Sequence, residues 1–180
     1  MSGPDRLVLH GASVRLDSMP HDGREISVVP DAEERAALAA QVGVSSVEDL
    51  KVELKAVRFR GGFRVTGTLD GKVVQPSVVT LKPLTQAISE EIDRVFLPGG
   101  EKQYAGPANA EIFVDLEGDE LPDHFEGNEA DLSDLIVETL ALGVDLYPRE
   151  EGETIADTGY QPDADNDSPF AVLKTLKPEE

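Results

Sequence analysis

Hydrophobic positions keep a period of two across a long span of this chain, residues 62–97. Phe63, Val65, Leu69 and Val73 take odd positions, while Arg64, Thr66 and Lys72 take even ones. A strand points successive side chains to opposite faces, so this pattern predicts one apolar and one polar face. Asp70-Gly71 has the composition of a two-residue hairpin, but a turn there would throw Val73 to the face opposite Leu69. The alternation instead predicts one bent strand, about 62–75, in which Gly67 and Gly71 mark a bulge or close packing. Leu84, Ile88, Ile92 and Phe96 then fall on even positions and predict a second long strand, about 84–97. The two are expected to pair antiparallel across a corner bounded by prolines. Upstream, Lys51 to Phe59 reads as extended, a strand of about 51–60 that enters the long one through a tight hairpin at Gly61-Gly62.

The pattern is weaker elsewhere. Leu7 to Leu16 reads as a first strand and Ile26 to Val29 as a second, short one. Asp31 is suited to cap a helix, with Glu34 three residues on as in a capping box, Leu38 and Val42 on one face and Gly43 as the stop. That helix is expected over about 31–42, and Ser46 to Leu50 reads as one further helical turn. After a loop at Gly99 to Ala110, a short strand is expected at Glu111 to Leu116, and Asp115 to Asp131 reads as acidic loop. Leu132, Leu135, Ile136, Leu140 and Val144 form a helical stripe that predicts a second helix, about 132–145, capped by Asp131 or Ser133 and ended at Tyr147-Pro148. Arg149 to Asp167, acidic and nearly devoid of apolar residues, reads as a disordered or loosely tethered linker. Residues 168–177 form a short amphipathic motif, with Phe170, Leu173 and Leu176 on its apolar edge and Lys174 and Lys177 outside it.

The fold class expected is therefore α+β. Long bent antiparallel strands pack against two main helices in a single domain over 1–148, followed by an acidic linker and motif over 149–180. A chain of 180 residues buries roughly 70% of its unfolded surface, enough for one core. There is no signal-peptide pattern and no run of about 18 apolar residues, so a cytoplasmic protein with no membrane partner is expected. The absence of cysteine fits a reducing compartment and excludes disulfides, thiolate metal sites and a cysteine nucleophile.

Charge changes the picture most. The net charge is −20, and it is confined to one half of the chain. Residues 1–82 hold 11 Lys or Arg against 11 Asp or Glu, whereas residues 83–180 hold 5 against 25. A uniform solubility device would not divide this way; a cationic partner for the second half explains it better. On the first half Lys51, Lys55, Arg58, Arg60, Arg64, Lys72 and Lys82 gather on the hairpin and its neighbour. Arg58, Arg60, Arg64 and Lys72 are the candidate RNA or phosphate contacts, Arg60 and Arg64 being expected to approach each other across the hairpin. The bland alternative is a row of cations on the solvent face of a sheet. Aromatic platforms for single-stranded RNA are missing, since Phe59 and Phe63 read as core-facing.

Catalytic chemistry finds little support. Asp115, Glu117, Asp119, Asp123 and Glu126 mimic the spacing of a calcium loop, but Glu120 replaces its glycine and Pro122 intrudes. Asp163, Asp165 and Asp167 begin similarly and end on Lys174 where a glutamate is needed. His10, His21 and His124 lack ligand spacing, and no nucleophile elbow, phosphate loop or dinucleotide fingerprint occurs. No catalytic, cofactor or metal residue is assigned; a carboxylate-based metal enzyme is the remotest alternative.

Three segments taken together carry a family likeness: VTGTL (65–69) continuing through VVQPSVVTLKPL (73–84), the helix DLSDLIVETLALGVDLYPR (131–149), and PFAVLKTL (169–176). In that order and spacing they resemble the YceD-like family of bacteria and plastids, associated with accumulation of large-subunit ribosomal RNA, in its alphaproteobacterial form. The likeness covers roughly Ile26 to Leu176. Many members that this chain resembles carry a cysteine where it has Pro76-Ser77, and some carry more beyond the helix, where it has Tyr147-Pro148 and acids. The resemblance implies a non-enzymatic factor in large-subunit ribosome biogenesis and no cofactor. With the charge asymmetry it leads to an acidic adaptor for a basic ribosomal protein or pre-ribosomal particle, with Phe170, Leu173 and Leu176 as candidate docking residues. Direct ribosomal RNA contact through the basic strands is the alternative, and no DNA partner is expected.

Overall fold

The computed structural model describes residues 6–99 and 122–153. The predicted strand 111–116, the loop 100–110, Asp115, Glu117 and Asp119 of the first calcium-like loop, the second such loop from Asp163, the linker from residue 154 and the 168–177 motif lie outside them. The frame is β3 (Ser46–Phe59), β4 (Gly62–Pro76) and β5 (Pro83–Pro98), three long antiparallel strands in sequence order. β4 and β5 are in register from Phe63↔Phe96 to Pro76↔Pro83, so the ribbon pairs along its whole length. As its alternation predicts, β4 runs unbroken through Asp70-Gly71, and Phe63, Val65, Leu69 and Val73 are fully buried. Gly67 marks close packing: a Cβ there would run into the Glu53 carbonyl oxygen and come within 2.8 Å of the Leu54 Cα.

Two further strands flank the ribbon. β2 (Arg24–Val28) pairs antiparallel with β3, and β6 (Asp123–Phe125) pairs parallel with the end of β5, giving the order β2-β3-β4-β5-β6. A separate two-stranded ribbon joins β1 (Ser13–Arg15) to β7 (Glu129–Asp131). Two helices, α1 (Ala32–Val42) and α2 (Ser133–Gly143), cover the apolar face of the sheet together with β1 and the segment before it. Asp31 and Glu34 form the expected capping box, and Gly43 closes α1 at φ 76°. One Glu34 oxygen accepts from the Asp31 N–H at 2.9 Å while the other accepts from the His10 N–H at 2.6 Å. The cap thus also ties the N-terminal segment down. At α2, Asp131 Oδ1 accepts from the Ser133 N–H (2.9 Å) and hydroxyl (2.6 Å), while the Ser133 Oγ accepts from the Leu9 N–H.

Five expectations are corrected. Ser46 to Leu50 is strand, not helix: β4 offers partners at Val73 and Val74, and a bulge between Val47 and Asp49 keeps Val47 and Leu50 inside. The first strand covers only Ser13–Arg15 of the expected 7–16. The acidic stretch before α2 holds β6 and β7, three-residue strands too short to show a period. The β3–β4 turn residues are Arg60 and Gly61, not Gly61-Gly62, since Phe59 pairs with Gly62. Their φ values of 47° and 84° give the mirror-image turn whose twist suits a hairpin. Finally, Phe59, expected to face the core, stands at an odd position of β3 and is half-buried, while the even positions from Leu50 to Ala56 turn inward.

On β5 every second inward residue is polar, and each meets the flank of α2. Gln86 donates to the Gly143 carbonyl (2.8 Å) and accepts from the Asp145 N–H (2.9 Å). Gln75, on β4, donates to Gln86 Oε1 (3.2 Å) and to the Asp145 carbonyl (3.0 Å). Farther along, Arg94 reaches Glu138 at 3.0 Å. The α2 exit is therefore strapped to the ribbon by amides that satisfy backbone groups no helix bond can reach.

Two outcomes are expected in denaturant unfolding. Gly67→Ala, forced against β3 backbone, should cost about 2–3 kcal/mol, whereas Gly127→Ala, with φ 78° and open space around it, should cost about 1 kcal/mol. Equal losses would show that β4 does not approach β3 that closely. Gln86→Ala, which leaves two partners of the strap unsatisfied, should cost about 1–3 kcal/mol.

Candidate interaction surfaces

The face of the sheet turned away from the helices carries two of the four cations that the sequence marks as candidates, Arg64 and Lys72. Even positions of β4 and odd positions of β3 and β5 point there, which places Lys51, Lys55, Arg64 and Lys72 among Glu53, Asp70, Glu91 and Asp93. Arg64 binds Asp93 through two parallel bonds, Nε to Oδ1 at 2.7 Å and Nη2 to Oδ2. That fork holds the Asp93 carboxyl below its ordinary pKa. Lys51 lies 2.8 Å from Glu53, whose carboxylate raises the ammonium pKa. Lys72 stands across from Asp49 and Ala87 in the ladder. A concave region of about 440 Å³ between β2, β3 and β4 is lined by Glu25, Ser27, Glu53, Lys55, Thr66 and Gly67 among others. Its mixed charges do not single out phosphate.

Arg58 and Arg60 lie elsewhere. The Arg58 guanidinium donates to the carbonyls of Leu16 (2.8 Å) and Met19 (3.3 Å), pinning the loop after β1. Arg60, at the turn, stacks over the Phe59 ring with 5.0 Å to its centroid. The four candidates thus form two groups, with Arg64 and Lys72 on the open face and Arg58 turned to the β1 loop.

The acidic half presents its carboxylates outward. Within 83–99 and 122–153 stand thirteen Asp or Glu against Arg94 and Arg149. Ten of the thirteen are exposed; Asp123, Asp131 and Glu153 are half-buried. Six of them follow one another along α2 and its exit. Asp134 pairs with Arg6 at 2.7 Å, Glu138 with Arg94, and Glu90 borders Gly143 at the end of the helix. Asp145, Glu150, Glu151 and Glu153 continue the series.

A third feature is the corner between β4 and β5, expected from its prolines, whose internal bonding sequence reasoning missed. Ser77 is fully buried and organises it: its N–H donates to the Lys82 carbonyl, and its Oγ accepts from the N–H groups of Val79 and Thr80. The Ser77 hydroxyl then donates to Glu153 Oε2 and the Thr80 hydroxyl to Oε1, both at 2.6 Å. Those two hydroxyls, foremost Ser77, lower the Glu153 pKa from its ordinary 4.5. The Val78 N–H donates to the Pro148 carbonyl at 2.8 Å. The only sequence signal was a serine in the proline-bounded turn, a residue type common in turns for its side-chain bonds to nearby N–H groups.

Among the described residues no helix is long and apolar enough to cross a membrane, and no three His, Asp or Glu side chains group as metal ligands. A family model described as Large ribosomal RNA subunit accumulation protein YceD matches residues 65–177, well over half of the chain. The matched region runs from β4 through α2 and into the C-terminal segment, leaving β1 to β3 and α1 outside it. No curated protein and no solved structure matches.

The corner has a pH signature. A carboxyl whose folded pKa is depressed adds stability above its unfolded value, about 4.5, and loses it as pH falls through the folded value. Acidification below that range is therefore expected to release 150–153 from the corner, read as faster amide exchange at Val79 and Thr80 relative to β4. Ser77→Ala with Thr80→Val should remove this step. An exchange ratio independent of pH in the parent chain would mean Glu153 is not held there.

Proposed function

Because the chain belongs to the YceD family, we propose that it acts as a non-enzymatic factor in the accumulation of large-subunit ribosomal RNA, as an acidic adaptor for a basic ribosomal protein or pre-ribosomal particle. The family description supports the process. One structural observation carries the finer reading: of the thirteen carboxylates described in the second half ten stand exposed, on β5, on the β6–β7 segment and along α2 and its exit, against two arginines. Such a field attracts a cationic chain, speeds encounter and yields it to a stronger polyanion such as ribosomal RNA.

Direct RNA binding through Arg58, Arg60, Arg64 and Lys72 draws less support. Arg58 is bonded to the β1 loop, Arg64 is matched by Asp93, and the open face carries both signs of charge. Phosphate binding would have to compete with those bonds.

Affinity purification from lysate at low salt, identifying bound protein and RNA together, is expected to recover a basic ribosomal protein or large-subunit precursor. With that protein in hand, Glu90→Gln, Glu138→Gln and Asp145→Asn combined should weaken binding about tenfold at low salt, and the gap should close as salt rises. Loss of binding on Arg64→Glu with Lys72→Glu, and none on neutralising the acids, would favour the RNA reading.

A further inference from the structure

Apolar exposure is concentrated at one place. Seven large apolar residues are exposed among those described, and five of them belong to two adjoining segments: Val78 and Leu81 in the corner, Leu142, Leu146 and Tyr147 at the α2 exit. Each has more than half its surface in water. The segments are joined by the bond from the Val78 N–H to the Pro148 carbonyl and by the Gln75 bond to the Asp145 carbonyl. Leu81 is held at φ 60°, a conformation that a bulky residue seldom adopts. Apolar side chains grouped on a surface otherwise rich in charge mark a contact surface.

The chain itself supplies an occupant. The described residues end at Glu153, which Ser77 and Thr80 fasten to this same corner. Sixteen residues separate it from Phe170, a length that reaches at most roughly 55 Å and easily returns to the point from which it leaves. The 168–177 segment pairs an apolar edge, Phe170, Leu173 and Leu176, with Lys174 and Lys177. The corner pairs apolar side chains with exposed carboxylates at Asp145, Glu150 and Glu151. We propose that the C-terminal segment docks in cis on the surface formed by Val78, Leu81, Leu146 and Tyr147, its lysines facing the neighbouring acids. A tether anchored beside its own docking surface raises the local concentration of the segment to the millimolar range, so a modest contact suffices. The inference concerns the free protein and stands apart from the adaptor reading.

The chain lacks cysteine, so Thr175→Cys gives a single attachment site for a nitroxide on the full-length protein. Amide signals of 77–82 and 142–148 are expected to broaden strongly, and those near the Arg60-Gly61 turn to stay sharp. Dilution should not change this pattern. Leu173→Ser, which leaves the described domain untouched, and Leu81→Ser with Tyr147→Ser, both exposed, should each abolish it. Broadening that survives both changes, centres on another surface, or fades on dilution as contact between two copies would, overturns the proposal.

Discussion

The constraint on which this fold depends is the unbroken pairing of β4 with β5. Fourteen ladder positions commit both strands to one choice of faces, because a slip of a single residue would turn every inward side chain to solvent. At one end of the ribbon the Phe63 ring stacks on Phe96 with centroids 5.1 Å apart and meets Phe125 at 5.4 Å. This fixes the register from inside the core. The close approach at Gly67 brings β3 onto the same bent surface, and its neighbour β2 follows. α1, α2 and the β1–β7 ribbon then need only cover an apolar face that already exists.

Charge separation follows from the same frame. Strands set cations and anions side by side on one face, so the open face of the sheet offsets its charges through contacts such as the diagonal pair Arg64–Asp93 and the same-strand pair Lys51–Glu53. These exposed pairs contribute little stability. Their effect is to occupy cations that would otherwise attract phosphate. The helix α2 has no such strand beside its outer face; Arg6 reaches Asp134 there and Arg94 reaches Glu138. The imbalance in the amino-acid sequence thus becomes an imbalance in space.

Period-two patterning made β4, β5 and the inner half of β3 legible, because burial on one face leaves its mark at every second residue. The capping box of α1 was equally plain, since Asp31 and Glu34 act through local bonds. Ser46 to Leu50 misled because VEDL suits a helix, and only the overhang of β4 beyond it shows that a strand pairs there. β6 and β7 are defined by partners more than twenty residues away in sequence. The cationic cluster was visible as composition, but the Leu16 and Met19 carbonyls that engage Arg58 depend on tertiary folding. Gln75 and Gln86, which the alternation does not single out, are inward positions that carry hydrogen bonds in place of methyl groups.

The corner brings these threads together. Pro76-Ser77 ends β4, and Tyr147-Pro148 follows the exit of α2. They lie some seventy residues apart in sequence, yet the Val78 N–H bonds to the Pro148 carbonyl. In this protein the junction is made by Ser77, Thr80 and the Glu153 carboxylate. A hydroxyl–carboxylate clasp is reversible with proton concentration and needs neither metal nor oxidation, and it is weak because water competes at its exposed edge. It therefore suits a junction that positions the start of the acidic tail without adding much to the stability of the core, which the ribbon and its two helices already supply.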